Sequence, residues 1–467
     1  MSIAKTIIYG TDQELVNALH QQTELKLDEI DEYGYTPLVQ TAIINSVPKA
    51  QLLLNIGASV DFPDLTGRTA LHWAAENNNY NLCKLLLEKG ANANSYTYAS
   101  QPVLVIPLLR KKTKIKDLLL SYGANLEFAQ DFINAKLLGH RFELQGRVDI
   151  VDHTNTFIEI ELEGFYLEFS LEILINSLSE FHKNFGGKHL RKYFTHLDKI
   201  IAALQTGSEF TKYQHYLINI KTYEKRISQL LENEPLVLPI AFDGHAISLI
   251  KFSDMLIRCD RGEFGQKNGA IIFYDVTKPG LNKSLCKELL YKRQAKEFIN
   301  DGLERYLGLE AKFQLPISLQ RAGNCSWANV EAIVPALMFL FLLEEKGIHE
   351  IEACAKEALI FYAEWVEWDK ERSLYFCINS FHEANPAQKA AKAALLAAIM
   401  FQACDYDNDR DPQKAYKILS ILTIPEYDYI LKSYSKVFSQ DKKNANLKSL
   451  LNFVDNYKAK IDLGNYF

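Results

Sequence analysis

Four residues in the second half of the sequence are of the types that together support nucleophilic chemistry at a thiol: Cys325, His245, Asp260 and Gln320. Cys325 stands directly before a long apolar segment, where the N–H groups and positive dipole end of a starting helix lower a thiol pKa. An imidazole can act as base, a carboxylate can orient it, and a side-chain amide can stabilise an oxyanion. These residue types predict a Cys–His–Asp triad with Gln320 as oxyanion donor. An inert buried cysteine is the alternative at position 325.

A helix and a β-hairpin are the elements that would position these residues. Apolar side chains at helical spacing follow the cysteine on one face, and Asn324 is the predicted N-cap of that helix. His245 and Asp260 lie in two strand-like segments, and a turn at residues 252–253 would place them opposite each other, with Cβ atoms about 4.5–5.5 Å apart. If the turn lies a residue or two away, the reserve candidates for the acid are Asp254, Glu263 and Asp275.

The order His, Asp, Gln, Cys over residues 245–325 resembles the cysteine peptidases of the adenoviral-protease, deSUMOylase and YopJ type. That resemblance implies a papain-like fold, His245 as base, Asp260 as its orienter, Gln320 as oxyanion donor and Cys325 as nucleophile. Two departures stand out. Ser326 follows the cysteine where the family commonly has glycine, and the spacing from Gln320 to Cys325 is one residue shorter than usual.

An internal repeat organises the first third of the chain. The pairs Gly57-Ala58, Gly90-Ala91 and Gly123-Ala124 recur every 33 residues, each after an apolar helix end. The segment Thr69-Ala-Leu-His-Trp-Ala-Ala75 resembles the ankyrin signature, and this resemblance implies four repeats at 3–35 (degenerate), 36–68, 69–101 and 102–134. In such repeats the histidine, here His72, braces the turn, and Trp73 is expected in the core.

Ankyrin arrays bind other proteins, so the expected partners are proteins held by the concave surface and loop tips. The segment LLLEKGANANS also resembles ankyrin sequences that asparaginyl hydroxylases modify, which points to Asn94 first and Asn92 second. Two ordinary turn asparagines are the alternative.

The predicted fold class is α+β: an all-α ankyrin solenoid at 1–134, a papain-like cysteine-protease-like domain at 135–385, and a helical C-terminal region at 386–467. A helix is expected to close at Gly207, and Asn268-Gly269 to turn between strands. The basic run 110–116 is interpreted as a solvated loop. DYDNDRD at 405–411 lacks the glycine and glutamate of a calcium-binding loop and is interpreted as an ordinary loop.

Composition excludes several other classes. A net charge of −6 argues against general nucleic-acid binding. Seven cysteines without a C-x-x-C pair suggest neither disulfides nor zinc, and no cofactor is expected. The apolar run 332–343 is too short to span a bilayer, and the first residues lack a secretory signal, so a soluble protein of a reducing cytosolic or nuclear compartment is expected. The oligomeric state stays open.

The combination of ankyrin repeats with a papain-like region resembles the ankyrin effectors that intracellular bacteria inject into host cells. This resemblance implies secretion by a type IV system, whose C-terminal signal would lie in KAKIDLGNYF. The predicted function is an ankyrin-targeted effector acting on host proteins as a thiol peptidase, isopeptidase or acyltransferase. The alternative is an inactive protease-like scaffold that binds host proteins through its repeats.

Overall fold

The computed structural model describes residues 3–21, 26–163, 166–215, 217–242, 244–320, 323–404, 411–438 and 449–457. The chain divides into two compact units. Unit 1 comprises residues 1–98, 103–124 and 164–368, and unit 2 comprises residues 99–102, 125–163 and 369–467. Unit 1 therefore holds parts of both the ankyrin array and the predicted protease-like domain, and the three predicted domain bounds remain predictions.

The ankyrin part of unit 1 consists of helix pairs: α1 (Ile3–Tyr9), α2 (Asp12–His20), α3 (Pro37–Ile43), α4 (Val47–Asn55), α5 (Ala70–Glu76), α6 (Tyr80–Glu88), α7 (Val105–Leu109) and α8 (Thr113–Ser121). Local chemistry explains their starts. The Thr36 hydroxyl accepts a hydrogen bond from the N–H of Val39 at 3.2 Å, and His72 Nδ1 accepts one from the N–H of Thr69 at 3.1 Å, the bracing role expected of that histidine. Gly57, Gly90 and Gly123 have φ values of 99°, 90° and 86°, as residues that end a helix in the left-handed region.

Two expectations for the repeats are wrong. Trp73 is half-buried rather than in the core, because its indole N–H bonds to Asp64 at 3.0 Å and its ring meets His215. The basic run is not a solvated loop: Thr113 begins α8, and the Arg110 guanidinium is buried in ion pairs with Glu168 and Glu172. Two carboxylates make that burial possible.

Unit 2 contains α9 (Leu126–Arg141) and an antiparallel pair, β1 (Arg147–Val151) with β2 (Phe157–Glu161). Its later helices are the end of α18 (Ile351–Glu383, which begins in unit 1), α19 (Pro386–Gln402), α20 (Asp411–Leu422) and α21 (Asp428–Phe438). Asn385 caps α19 by a capping box with Gln388. Residues 405–410, which form most of the acidic loop, lie outside the described residues.

The mixed part of unit 1 contains α10 (Leu167–Lys183), α11 (Phe194–Thr211), α12 (Glu224–Leu230), α13 (Glu263–Asn268), α14 (Lys283–Tyr291), α15 (Leu303–Leu307), α16 (Cys325–Glu331) and α17 (Ile333–Lys346). Short 3₁₀ segments cover Phe185–Tyr193, Ile220–Tyr223 and Ile348–Glu350, and a π-helical turn covers Phe298–Gly302. Helix α11 continues through Gly207 instead of ending there. A Cβ on that glycine would lie 2.9 Å from Val237, so the glycine serves close packing of helix on sheet.

An antiparallel meander of five strands supports the candidate site: β3 (Leu236–Phe242), β4 (His245–Phe252), β5 (Met255–Cys259), β6 (Ile271–Val276) and β7 (Leu309–Leu315), in that order. Leu238, Ile247 and Leu256 join one apolar core with residues of α12, α14 and α15. Asn268-Gly269 does not turn between strands, because Gly269, with φ 110°, ends α13. The helical ankyrin region followed by a mixed helix-and-sheet region confirms the predicted α+β class, and the papain-like character of the mixed region stays a prediction.

One helical stretch among the described residues, Cys325–Lys346, has the length and apolar composition that could cross a membrane, and 94% of its most apolar window is buried inside the protein. This stretch is longer than the apolar run predicted at 332–343, because α16 and α17 follow each other directly. Core helices of soluble proteins share these properties, so the expectation of no membrane crossing stays a prediction.

Candidate active site

The thiol of Cys325 lies at the first residue of α16 and is half-buried, whereas the other six cysteines are buried. Asn324 occupies the N-cap position, as predicted, although its side chain makes no capping hydrogen bond. The backbone N–H groups that approach the sulfur come from Ser326 on the helix and Ala246 on β4. The sulfur thus sits between a helix start and a strand start.

His245 begins β4, and its Nε2 lies 3.2 Å from Oδ1 of Asp260, which follows the end of β5. The predicted turn was misplaced by one residue. Phe252 pairs with Met255, and Ser253, with φ 48°, and Asp254 form the turn. In this register Asp260 is a diagonal neighbour of His245 rather than its direct partner. A shift of one residue in the turn moves the pairing by two, which keeps both side chains on the same face.

Three donors surround the Asp260 carboxylate, which is buried. Oδ1 accepts from His245 and from the N–H of Gly262 at 3.1 Å, and Oδ2 accepts from the Arg258 guanidinium at 2.8 Å. Burial alone would raise the pKa of Asp260, but the bonds from His245 and Arg258 hold that pKa below its usual range. The carboxylate is therefore ionised and fixed in orientation.

The imidazole of His245 lies between the carboxylate and the thiol. Hydrogen bonds with Asp260 and Cys325 raise the pKa of His245 to about 9, against a smaller opposing effect of burial. For Cys325, burial pushes the thiol pKa up, but the contact with His245 and the two backbone N–H groups bring it below the ordinary value. These directions favour a thiolate–imidazolium pair.

Glycine is required at position 262. A Cβ there would lie 2.9 Å from Cε1 of His245 and 3.3 Å from Oδ1 of Asp260. The edge of the imidazole that carries Cε1 and Nε2 therefore packs close to a backbone that carries no side chain. Neither Gly262 nor Arg258 was identified from the sequence, although Arg258 stands two residues before Asp260 and so belongs to the same face of the strand.

Gln320 lies in a cavity of about 520 Å³ that His245, Asp260, Phe242 and Phe264 also line. Its backbone N–H donates to the carbonyl of Arg261 at 2.9 Å, and its side-chain Oε1 is buried without a hydrogen-bond partner. The structure thus brings Gln320 to the same cavity as the histidine. Its role as oxyanion donor stays a prediction.

The reserve acids lie elsewhere. Asp254 is in the β4–β5 turn and Asp275 pairs with Met255, at the end of the sheet away from His245. Glu263 starts α13 and forms ion pairs with Lys267 at 3.0 Å and Lys296 at 3.4 Å. Among the described residues, no group of three or more His, Cys, Asp or Glu side chains could hold a metal ion.

The two ankyrin asparagines lie in a turn between repeats. Asn92 is exposed, and its Oδ1 accepts from the N–H of Asn94 at 2.9 Å. The amide of Asn94 donates to the carbonyl of Gly123 at 2.8 Å. Their hydroxylation stays a prediction.

Comparison with known proteins gives two different results. The family described as ankyrin repeats (3 copies) matches residues 3–97. Inversin from Gallus gallus is 34% identical over 117 residues, which are 25% of this chain and 10% of that protein. Inversin from Mus musculus is 36% identical over 97 residues, 21% of this chain and 9% of that protein. The chain thus spans about a tenth of the length of these curated relatives.

The solved structure of the Legionella effector AnkH is similar over nearly the whole chain. Its TM-score is 0.90 and its sequence identity 41%, and the match covers 98% of this chain and 97% of that chain. The similarity therefore includes the ankyrin repeats, the five-stranded sheet and the helices after it.

Proposed function

The chain belongs to the family of ankyrin-repeat effectors that includes Legionella AnkH, and on that premise we propose that it acts on host proteins as a cysteine-protease-like enzyme. In this proposal the ankyrin repeats bind a host protein through their concave surface and loop tips, and the sheet-and-helix part of unit 1 carries the chemistry. Delivery through a type IV secretion system belongs to the same proposal. The suggested signal at 458–467 lies outside the described residues.

One observation carries the enzymatic part: the half-buried thiol of Cys325 lies beside an imidazole, and a buried, ionised Asp260 accepts a hydrogen bond from that imidazole. The thiolate would attack a carbonyl carbon, forming a C–S bond and an oxyanion. The His245 imidazolium would then give its proton to the leaving amine as the C–N bond breaks. The acyl group of the resulting thioester would be transferred to water in a peptidase or isopeptidase, or to an acceptor amine or hydroxyl in an acyltransferase. The Cys325 thiolate would be released in each case.

The cavity beside His245 supports this proposal because it gives a substrate access to the imidazole. Two aromatic side chains, Phe242 and Phe264, line it together with the ion pairs of Glu263. All three reaction classes require the same triad. A peptidase and an isopeptidase both transfer the acyl group to water and differ in the amide bond that they cleave, whereas an acyltransferase transfers it to another nucleophile.

A protease-like scaffold without activity is the second candidate, and one observation favours it. The buried Oε1 of Gln320 has no hydrogen-bond partner. The buried Oδ1 of Asn324, next to the nucleophile, has none either. An amide that turned its oxygen toward the reacting carbonyl would repel an oxyanion instead of stabilising it.

Labelling with cysteine-directed suicide probes tests the enzymatic proposal. Three probes carry the electrophile on a peptide, on a ubiquitin-like protein and on an acyl donor, so the labelled class also indicates the reaction. Covalent labelling is expected in the wild type and in Cys83→Ala, a control at a buried cysteine of α6, and is expected to vanish in Cys325→Ala. No labelling by any probe, or labelling that survives Cys325→Ala, would support the scaffold.

A further inference from the structure

We infer that Asn329 is a positioning residue of the candidate active site, which ties the helix of the nucleophile to the backbone segments of both the base and its orienter. This inference rests on the proposed function, because it concerns how the Cys325–His245 contact is maintained. Asn329 is fully buried, with a relative exposure of 0%. It stands four residues after Cys325 on α16, so both side chains project from the same side of the helix.

The Asn329 amide makes two short hydrogen bonds to backbone atoms far away in sequence. Its Nδ2 donates to the carbonyl of Ala246 at 2.6 Å, and its Oδ1 accepts from the N–H of Arg261 at 2.6 Å. Ala246 follows His245 directly, and Arg261 follows Asp260 directly. One side chain thus connects the helix to the immediate neighbours of both other members of the triad.

Ala246 can accept this bond because of where the sheet stops. The β4–β5 ladder ends at the pair Ser248 with Cys259, so Ala246 extends beyond it. On that free edge the N–H of Ala246 approaches the Cys325 sulfur and its carbonyl accepts from Asn329. Helix α16 therefore lies where β5 would otherwise pair with this part of β4. The Cys325 sulfur and the Asn329 amide are the two groups of the helix that contact the β4 backbone there.

A second connection supports the segment after Asp260. The guanidinium of Arg261 donates to Glu331 at 3.0 Å and to the carbonyl of Ser318 at 2.7 Å. Glu331 also accepts from the hydroxyl of Tyr362 at 2.9 Å. This network holds Arg261 against α16. The Asn329 amide bonds both to the segment after Asp260 and to β4, so one side chain of α16 is tied to the two segments.

Loss of the amide should loosen the contact that creates the thiolate. Without it, the carbonyl of Ala246 and the N–H of Arg261 are buried with no partner from α16, and the structure must adjust to satisfy them. Any outward movement of α16 lengthens the distance from the sulfur to His245. The pKa of Cys325 should then rise toward its ordinary value, while the fold persists.

The experiment is the pH dependence of Cys325 alkylation by iodoacetamide, quantified by mass spectrometry of the peptide that contains this residue. Because the other six cysteines are buried, reaction at Cys325 can be measured separately. In Asn329→Ala the midpoint should move up by about one pH unit, so that alkylation near neutral pH slows about tenfold. Ser177→Ala is the matched control. It removes an equally buried polar group, the acceptor of the Trp365 indole N–H at 3.1 Å, and should lower the thermal midpoint without moving the alkylation midpoint.

If Asn329→Ala unfolds, Asn329→Ser is the milder variant, because its hydroxyl can still donate and accept hydrogen bonds but is shorter than the amide that spans the two backbone partners. An alkylation midpoint equal to that of the wild type in a folded Asn329 variant would overturn the inference, and so would an ordinary thiol pKa in the wild type. A low wild-type midpoint that Asn329 substitution raises, together with no labelling by any suicide probe, would leave the inference standing while the proposed function fails.

Discussion

Replacement of Gly262 by alanine adds a single methyl group beside the base. The φ of Gly262 is −87°, outside the left-handed region, and the perturbation is the added methyl group. The new Cβ would lie 2.9 Å from Cε1 of His245. Carbon atoms in contact are separated by about 3.5–4.0 Å, so the imidazole must retreat by roughly 0.5–1 Å.

That displacement determines the expected loss. The 3.2 Å bond between His245 and Asp260 is already at the long end of the range for hydrogen bonds, and a further shift would break it. Misplacement of a reacting group by about 1 Å can cost on the order of 100-fold in rate, so a 10- to 100-fold loss is expected. The free energy of unfolding should fall by about 1–2 kcal/mol, because the half-buried ring can move partly into the cavity.

The rate of Cys325 labelling by a suicide probe, together with the thermal midpoint, measures both effects. Gly280→Ala is the matched control. Its new Cβ would meet the half-exposed ring of Tyr306 at 3.0 Å and the buried side chain of Leu307 at 3.2 Å, and neither residue contacts His245, so the thermal midpoint should fall but labelling should be unaffected. A folded Gly262→Ala variant that reacts at the wild-type rate would refute the close packing of His245 on the Gly262 backbone.

Three further predictions concern charge and modification. Activity should rise as the Cys325 thiol ionises and fall above about pH 9 as His245 loses its proton. Because the pKa of His245 is raised in the folded state, protonation of His245 stabilises the fold. This contribution to the free energy of unfolding is complete below about pH 6.5 and is lost as the pH rises through about 9. Denaturant titrations of wild type and His245→Gln at several pH values can measure it. Asp260→Asn leaves one acceptor oxygen for three donors. It should lower the upper pH limit of activity and cost about 3 kcal/mol through the poorly paired Arg258, and adding Arg258→Met should recover stability but not activity. Protein recovered from host cells should carry an added oxygen on Asn94, or less of it on Asn92, and its absence in mass spectra would leave these as ordinary turn residues.

Repeats and periodicity predicted the architecture because each depends on local signals. The glycines at 57, 90 and 123 are needed wherever a helix ends in the left-handed region, so the repeat can be read from one sequence. Strand alternation likewise predicted the face shared by His245 and Asp260. The exact register was missed, because it depends on where the turn forms and the turn was set at residues 252–253. Ser253-Asp254 is the pair that turns, and both are residue types that favour turns.

Residues whose environment comes from distant segments were the ones missed. Gly207 looked like a helix end because glycine commonly ends helices, but its role is to let Val237 approach. Arg110 looked solvated until Glu168 and Glu172 supplied its partners. Asn329 resembled any polar residue in an apolar helix, since its partners Ala246 and Arg261 are backbone groups far away in sequence.

The central claim is that Cys325 and His245 act as one catalytic unit. Activity after delivery into host cells and the thermal midpoint, measured for Cys325→Ala, His245→Ala and the double variant, test it most directly. The predicted result is that each single variant loses as much activity as the double variant, because nucleophile and base fail together. The unfolding free energy of Cys325→Ala should change by only about 1 kcal/mol, since a small group at a helix start contributes little packing. His245→Ala also loses the ion pair with Asp260, so its thermal midpoint shows whether that variant is folded under the assay conditions. Full activity in both stable single variants would contradict the claim and leave the ankyrin surface as the working part of the protein.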